Sequence, residues 1–222
     1  MMRRPSVLLI AVLCALSFLA ARQTLSDFYT HTAALEIETW SRPGFRRDEA
    51  ALPQVIERLG RALAIAPDNA WALEFMGAMQ FETVRGATDP QAAVAAARAS
   101  RDSYRKALMQ RPTASQTWVN LALAKQSLGE IDDEFFTALE QSARYGPWEP
   151  PVLLLGLQTG LGAWDQANPV RRELILGMRD RAVQRDVASV NRIARDYNRP
   201  DLACDPKAPK SADGKPCPRP SS

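Results

Sequence analysis

The sequence predicts an all-α protein of stacked helix pairs behind an N-terminal transmembrane helix. Three observations lead there. Ser6 to Ala21 are uncharged and almost wholly apolar behind the basic Met1 to Arg4 stretch, which is the layout of a membrane-targeting segment. Beyond it, Ala-rich and Leu-rich runs with few Val and Ile favour helix over strand. Between Pro112 and Pro147 the spacing specifies a unit. Trp118, Leu121 and Ala122 place an aromatic, a Leu and a small residue on one face, Gly129 breaks the pattern, Ala138 and Ser142 follow on a second helical period, and Pro147 closes it.

That unit is a helix-turn-helix of about 34 residues, the period and punctuation of a tetratricopeptide (TPR) repeat. A large aromatic and a Leu on helix A, with a small residue beside them, let helix B approach closely enough to bury both. This reading makes Trp118 a core residue. One such pair cannot bury its face alone, so neighbouring pairs must stack on it. With 222 residues, 46% hydrophobic and 24% charged, the chain has room for one helical domain plus a segment of different character at each end. A scattered formal charge of +3 argues against a dedicated nucleic-acid surface.

The expected organisation is a signal anchor over residues 1–22, a stalk over 23–47, a helical domain over 48–204 and a disordered tail over 205–222. Small residues suited to signal cleavage are missing, since Phe18 or Leu19 would stand third before the cut. An uncleaved single-pass anchor is therefore expected, with Arg4 and Arg22 snorkelling from its ends and Cys14 as filler. The basic N-terminus favours an N-in orientation, with the remainder exported to the periplasm. The apolar pattern of Leu25, Phe28, Tyr29, Ala33 and Ile37 carries the anchor on as a helix until Arg42-Pro43-Gly44 interrupts it. His31, the single histidine, reads as a half-exposed helix residue.

Asp48 to Ala66 reads as the second helix of a degenerate unit, because Leu59 and Ala62 stand before Pro67 as Tyr104 and Ala107 stand before Pro112. Leu73, Met76 and Gly77 then occupy the places of Trp118, Leu121 and Ala122. Gly77 to Pro112 exceeds a standard unit by about eleven residues. The surplus is expected as a turn inserted over Arg85 to Pro90, ahead of a helix from Pro90 to Met109. Gly146 to Pro151 is expected to run extended, held by its prolines, with Trp148 buried. Val152 to Trp164 reads as a buried core helix. A further helix opens at Pro169, and a last short one carries Val187 to Tyr197. Cys204 and Cys217 are either bridged or two free thiols.

Catalytic signatures do not emerge from the sequence. It has no Gly-rich phosphate loop, Cys-x-x-Cys, H-E-x-x-H or G-x-S-x-G, so neither enzyme chemistry nor a metal or cofactor is expected. Glu130, Asp132, Asp133 and Glu134 fall at a helix start, where acids favour the dipole, and read as capping groups in preference to a carboxylate pair for sugar chemistry. Arg171, Arg172, Arg179, Arg181 and Arg185 read as a solvated face.

Trp118 to Val152, together with the anchor and the ending Arg199-Pro200-Asp201-Leu202-Ala203-Cys204, resembles the VpsP-type proteins of bacterial exopolysaccharide gene clusters, most sharply over Gly146-Pro147-Trp148-Glu149-Pro150. The resemblance implies a single-pass, TPR-like accessory protein of the inner membrane that serves exopolysaccharide biosynthesis or export by binding protein partners of that assembly. The alternative is a periplasmic TPR module of another envelope system, such as cytochrome maturation or cell-wall synthesis. In TPR proteins helix A lines the groove. Carried over, that assigns binding to Gln116, Val119, Leu123 and Gln126 in the clear unit, and to Trp71, Glu74, Ala78 and Phe81 in the degenerate one.

Overall fold

The computed structural model describes residues 4–40 and 51–204, and among them the chain is all-α, with no β-strand. Its helices are α1 (Arg4–Trp40), α2 (Ala51–Ile65), α3 (Ala70–Gly86), α4 (Pro90–Gln110), α5 (Ser115–Ser127), α6 (Asp133–Tyr145), α7 (Pro150–Gly162), α8 (Pro169–Val183) and α9 (Val187–Asp196). Consecutive helices pack as hairpins, α1 with α2, α3 with α4, α5 with α6 and α7 with α8. Each hairpin rests on the next, and the odd-numbered helices touch in sequence from α1 to α9.

Pro67, Pro112 and Pro147 do the same work three times. In each preceding helix the last i to i−4 bond is accepted by the residue five before the proline: Ala66 N to Ala62 O, Arg111 N to Ala107 O and Gly146 N to Ser142 O, all 2.9 Å. A four-residue turn follows, closed by Asn69 N to Ala66 O at 3.1 Å, Ala114 N to Arg111 O at 3.1 Å and Glu149 N to Gly146 O at 3.3 Å. Proline stands second in each turn, where its fixed φ is already the one required.

This corrects the extended connection expected over Gly146 to Pro151. Pro147 makes a tight turn, and Pro150 and Pro151 are the first two residues of α7, where a missing N–H leaves nothing unpaired. Trp148 stands at the tip of the turn and is 53% exposed, not buried. The insertion after Gly77 is also absorbed differently. The α3 and α4 helices run to 17 and 21 residues against 13 each for α5 and α6, so the surplus lengthens the helices. Their connection is only Ala87 to Asp89, and the Asp89 carboxylate accepts from the Gln91 and Ala92 N–H groups at 3.0 and 3.2 Å. Ala-rich sequence costs little to extend as helix.

Residues 23–40 are not a free stalk. They continue α1 unbroken and form the first member of the first hairpin, so the packed body begins ahead of residue 48. Ser26, Thr30 and Ala33 are buried on one face of α1, a stripe of small side chains that lets α2 come close. Ser26 Oγ donates to Ala62 O at 3.0 Å, and Asn69 Nδ2 donates to Ser26 Oγ and Asp27 Oδ1, both at 2.9 Å. Ahead of this stripe, Leu8 to Leu19 project their side chains clear of the rest of the chain, Cys14 included, and α1 is long and apolar enough to cross a membrane. Arg42 to Gly44, Asp48, the 205–222 tail and Cys217 lie outside the described residues.

The main core runs from Tyr104 to Cys204 and is centred on Phe135, Leu139, Leu153, Leu157, Ile175 and Met178. Trp118 lies half-buried at its margin and not inside it, with its ring Nε1 donating to Pro112 O at 2.8 Å. The small residue expected beside Met76 is required by contact. A Cβ on Gly77 would stand 2.8 Å from the buried Tyr104 ring. As expected, α7 buries Val152, Leu153, Leu157 and Leu161, while it turns Leu154, Leu155 and Gln158 outward.

Candidate interaction face

The row of odd-numbered helices is the face on which the groove residues were expected, and the α5 set does not form an open groove. Val119 is fully buried. Gln126 Nε2 donates to Thr159 O in α7 at 2.9 Å, and Gln116 Nε2 donates to Asn120 Oδ1 at 3.1 Å. Leu123 is half-buried. The cause lies in the next helix. Gly162 presents no Cβ towards α5, and a Cβ there would fall 2.3 Å from the Gln126 amide, so α7 closes over this position, while Gly156 makes room for Met178 of α8, whose Cε would lie 2.1 Å from a Cβ. Val119 and Gln126 are therefore interior contacts between helices and are corrected as such.

The α3 set is more open. Trp71 is 51% exposed and stacks on Phe75 with ring centroids 6.2 Å apart and planes at 26°. The Arg111 guanidinium lies 3.6 Å from the Trp71 ring centre and pairs with Glu74 at 3.1 Å, so the ring is held between a cation and a neighbouring aromatic. Asp27, Thr30, His31 and Ala34 of α1 complete a cleft of about 330 Å³ with Trp71 and Phe75. Ala78 is half-buried. Phe81 is turned away into contact with the main core, with Arg85 5.4 Å from its ring centre.

A second cleft, of about 650 Å³, lies between α7 and α9. Pro151, Leu154, Leu155 and Gln158 face Arg192, Ile193, Asp196 and Tyr197 across it. Pro151, Leu154 and Gln158 follow Pro147 at the offsets 4, 7 and 11, at which Gln116, Val119 and Leu123 follow Pro112 and Trp71, Glu74 and Ala78 follow Pro67. Sequence reasoning missed this site because Val152 to Trp164 lacks the Trp and small-residue signature. Counting from Pro147 would have found it. Burial pushes the Tyr197 phenol above its ordinary range, against a hydrogen bond with Gln158 across the cleft.

The acidic cluster is consumed by the fold. Asp132 caps α6 by accepting from Phe135 N at 3.0 Å. Lys125, buried on the inner face of α5, donates to Glu134, Asp132 and Glu130 at 2.7, 2.9 and 3.3 Å. Arg105 binds both oxygens of Glu134 at 2.8 and 2.5 Å, Arg101 pairs with Glu130, and Arg171 pairs with Asp133. The Arg105 hydrogen bonds hold the Glu134 carboxyl at about 2, outweighing burial, and Lys125 adds to the effect. At Asp132 burial opposes ionisation, but the Lys125 and Phe135 hydrogen bonds prevail and lower its pKa. Lys125 feels the same contest, and its carboxylate partners raise it. A Lys one helical turn after the buried Leu121 was the sequence signal for this network.

The arginine run is likewise not a plain solvated face. Arg171 lies 4.0 Å from the Phe136 ring centre, Arg172 lies 5.2 Å from that of Trp164, and Arg181 donates to Gly177 O at 3.1 Å. Cys204 is disulfide-bonded, and Cys217, with which a bridge was the expected alternative, lies outside the described residues. Cys204 is also buried, with the Asn191 side chain bridging its N–H and C=O at 2.8 and 2.7 Å. Among the described residues no group of His, Cys, Asp and Glu is arranged to hold a metal ion. No protein-family model matches the chain, and no curated protein does.

Proposed function

We propose that this chain is a single-pass, membrane-anchored TPR-like scaffold of bacterial exopolysaccharide synthesis or export, which acts by binding protein partners of that assembly. The observation that carries the reading is the repeated turn. Three proline turns of one geometry set successive hairpins, all three positions counted from Pro147 (Pro151, Leu154 and Gln158) line one cleft, and the first position counted from Pro67, Trp71, walls another beside Phe75. Separate clefts of this kind suit short extended or helical segments of a protein partner. The N-in, periplasm-out orientation is supported by the basic Met1 to Arg4 stretch. The disulfide at Cys204 supports it too, since such bonds persist in oxidising compartments.

A photo-crosslinking residue at Phe75 or Gln158 tests the reading in native membranes, with Glu140 on α6 as the control. Crosslinks to one polysaccharide-assembly protein from the two cleft positions and not from Glu140, together with reduced polymer output for Gln158→Arg, are the expected result. Crosslinks from Glu140 alone, or unchanged output, would refute it.

A further inference from the structure

Every turn that carries a repeat proline lies at one edge of the molecule, and the anchor enters at that same edge. α1 meets the first of these turns near the end of its apolar stretch, where Asn69 hydrogen-bonds Ser26 and Asp27. The second turn is joined to the first by Arg111, which covers Trp71 and pairs with Glu74 at the start of α3. The third is joined to the second by Ser115 Oγ, which donates to Glu149 at 2.9 Å. The opposite edge carries Ala87 to Asp89, Leu128 to Asp132 and Trp164 to Asn168.

Level matters here. About 20 helical residues span the roughly 30 Å hydrocarbon layer. Counted from Arg4, that span ends close to Thr24. Ser26 and Asp27 then stand about 3 to 5 Å beyond it, within a headgroup layer about 5 to 7 Å deep. Asn69 ties the Pro67 turn to that level. The residues displayed there suit it. Leu25, Phe28, Trp71, Met109 and Trp148 are 48%, 60%, 51%, 72% and 53% exposed, and Trp with other apolar groups is what the water interface of a bilayer takes up. The far edge displays only the smaller Val94 and Val170 among the described exposed apolar residues near its turns, and its Trp164 is half-buried where Trp71 is 51% exposed. Asp68 and Glu149 share the proximal turns with Arg111 and Arg144, so the contact is apolar in character and needs no anionic lipid.

We infer that the proline-turn edge, led by Trp71 and Met109, rests in the headgroup layer of the bilayer from which α1 emerges, so that the scaffold lies against the membrane and does not stand off it. The inference rests on α1 being a membrane span.

The full chain in uncharged phosphatidylcholine and phosphatidylethanolamine vesicles decides the matter with two photoactivatable lipids, one carrying a diazirine in its acyl chain and one in its headgroup. The acyl probe is expected to label Leu8 to Leu19. The headgroup probe is expected to label peptides containing Trp71 and Met109 several-fold more than those containing Ala87 to Asp89 or Leu128 to Asp132. If α1 is labelled and the two edges are labelled alike, the docking inference is overturned while the anchor stands. If the acyl probe leaves α1 unlabelled, the span itself fails and the inference falls with it.

Discussion

The two cores of this molecule are built on different terms. The main core, from α4 to α9, is filled by Phe135, Leu139, Leu153, Leu157 and Ile175, and its cohesion comes from burial of large side chains. The core of the first hairpin and α3 is small and is made of Ala33, Val55, Leu59, Ala62, Ala72, Met76 and Met79. There the anchor helix is also fastened by polar groups, Ser26 to Ala62 O and Asn69 to Ser26 and Asp27. Where α1, a helix long and apolar enough to cross a membrane, joins the helical body, its buried contact face is made of small side chains. Directional hydrogen bonds between buried Ser, Thr and Asn fix its position instead. The body is thus cohesive by volume, and the junction by geometry.

Substitutions that break one region should leave the other standing. The largest expected effect is in the main core. Phe135 is fully buried, and Phe135→Ala should cost about 3 to 5 kcal/mol in urea unfolding. Hydrogen exchange should show protection lost across α5 to α8 before α2. A smaller and local effect is expected at the junction. Asn69 caps α3 by accepting from Ala72 N at 3.1 Å and also makes the contacts to α1, so Asn69→Ala should cost about 1 to 2 kcal/mol. Exchange should quicken in residues 23–40 and at the start of α3, while α5 to α9 keep their protection. If α5 to α9 loosen to the same degree, the two regions are not separable.

The smallest effect is a pH dependence confined to the body. Glu134 has its carboxyl held at about 2 against an ordinary 4.5, so the folded state binds this proton less readily than the unfolded state. Its contribution to stability is complete above about 4.5 and is lost as pH falls from there towards about 2. Partial exposure of Glu134 and Arg105 screens the interaction, and the contribution is correspondingly modest. The melting temperature of the wild type should decline across that window, and Glu134→Gln should flatten part of the decline. An unchanged acid limb in the variant would show that the Lys125 network does not couple to folding.

Much of the fold was legible because it is written in positions that punctuate. The repeat prolines, the Ala or Ser five residues before each, and Gly77 facing Tyr104 all carry a local steric reason for their identity. The misreadings share a different cause. Val119 and Gln126 lie on the face that the repeat register names, but whether that face stays open depends on how closely the next helix packs, as Gly162 lets α7 do against Gln126. Trp148 was read from its flanking prolines as part of an extended strap, whereas one proline fits a turn and two fit a helix start. Residues 23–40 were assigned to a stalk outside the helical domain because Ser26 and Thr30 do not register in an apolar pattern, yet their small size is what lets α2 dock there. Lys125 went unnoticed because its three partners are close in sequence but converge only once α5 and α6 fold back.

The central claim is that one helix serves as both membrane anchor and first member of the scaffold. The most direct test expresses the full chain with a reporter active only in the periplasm fused after Arg199, and measures the intact mass of the protein recovered from membranes. An active reporter on a membrane-bound chain that retains residues 1–22 is expected. A chain beginning near Arg22 and recovered in the soluble fraction, or a reporter active only in the cytoplasm, would contradict it.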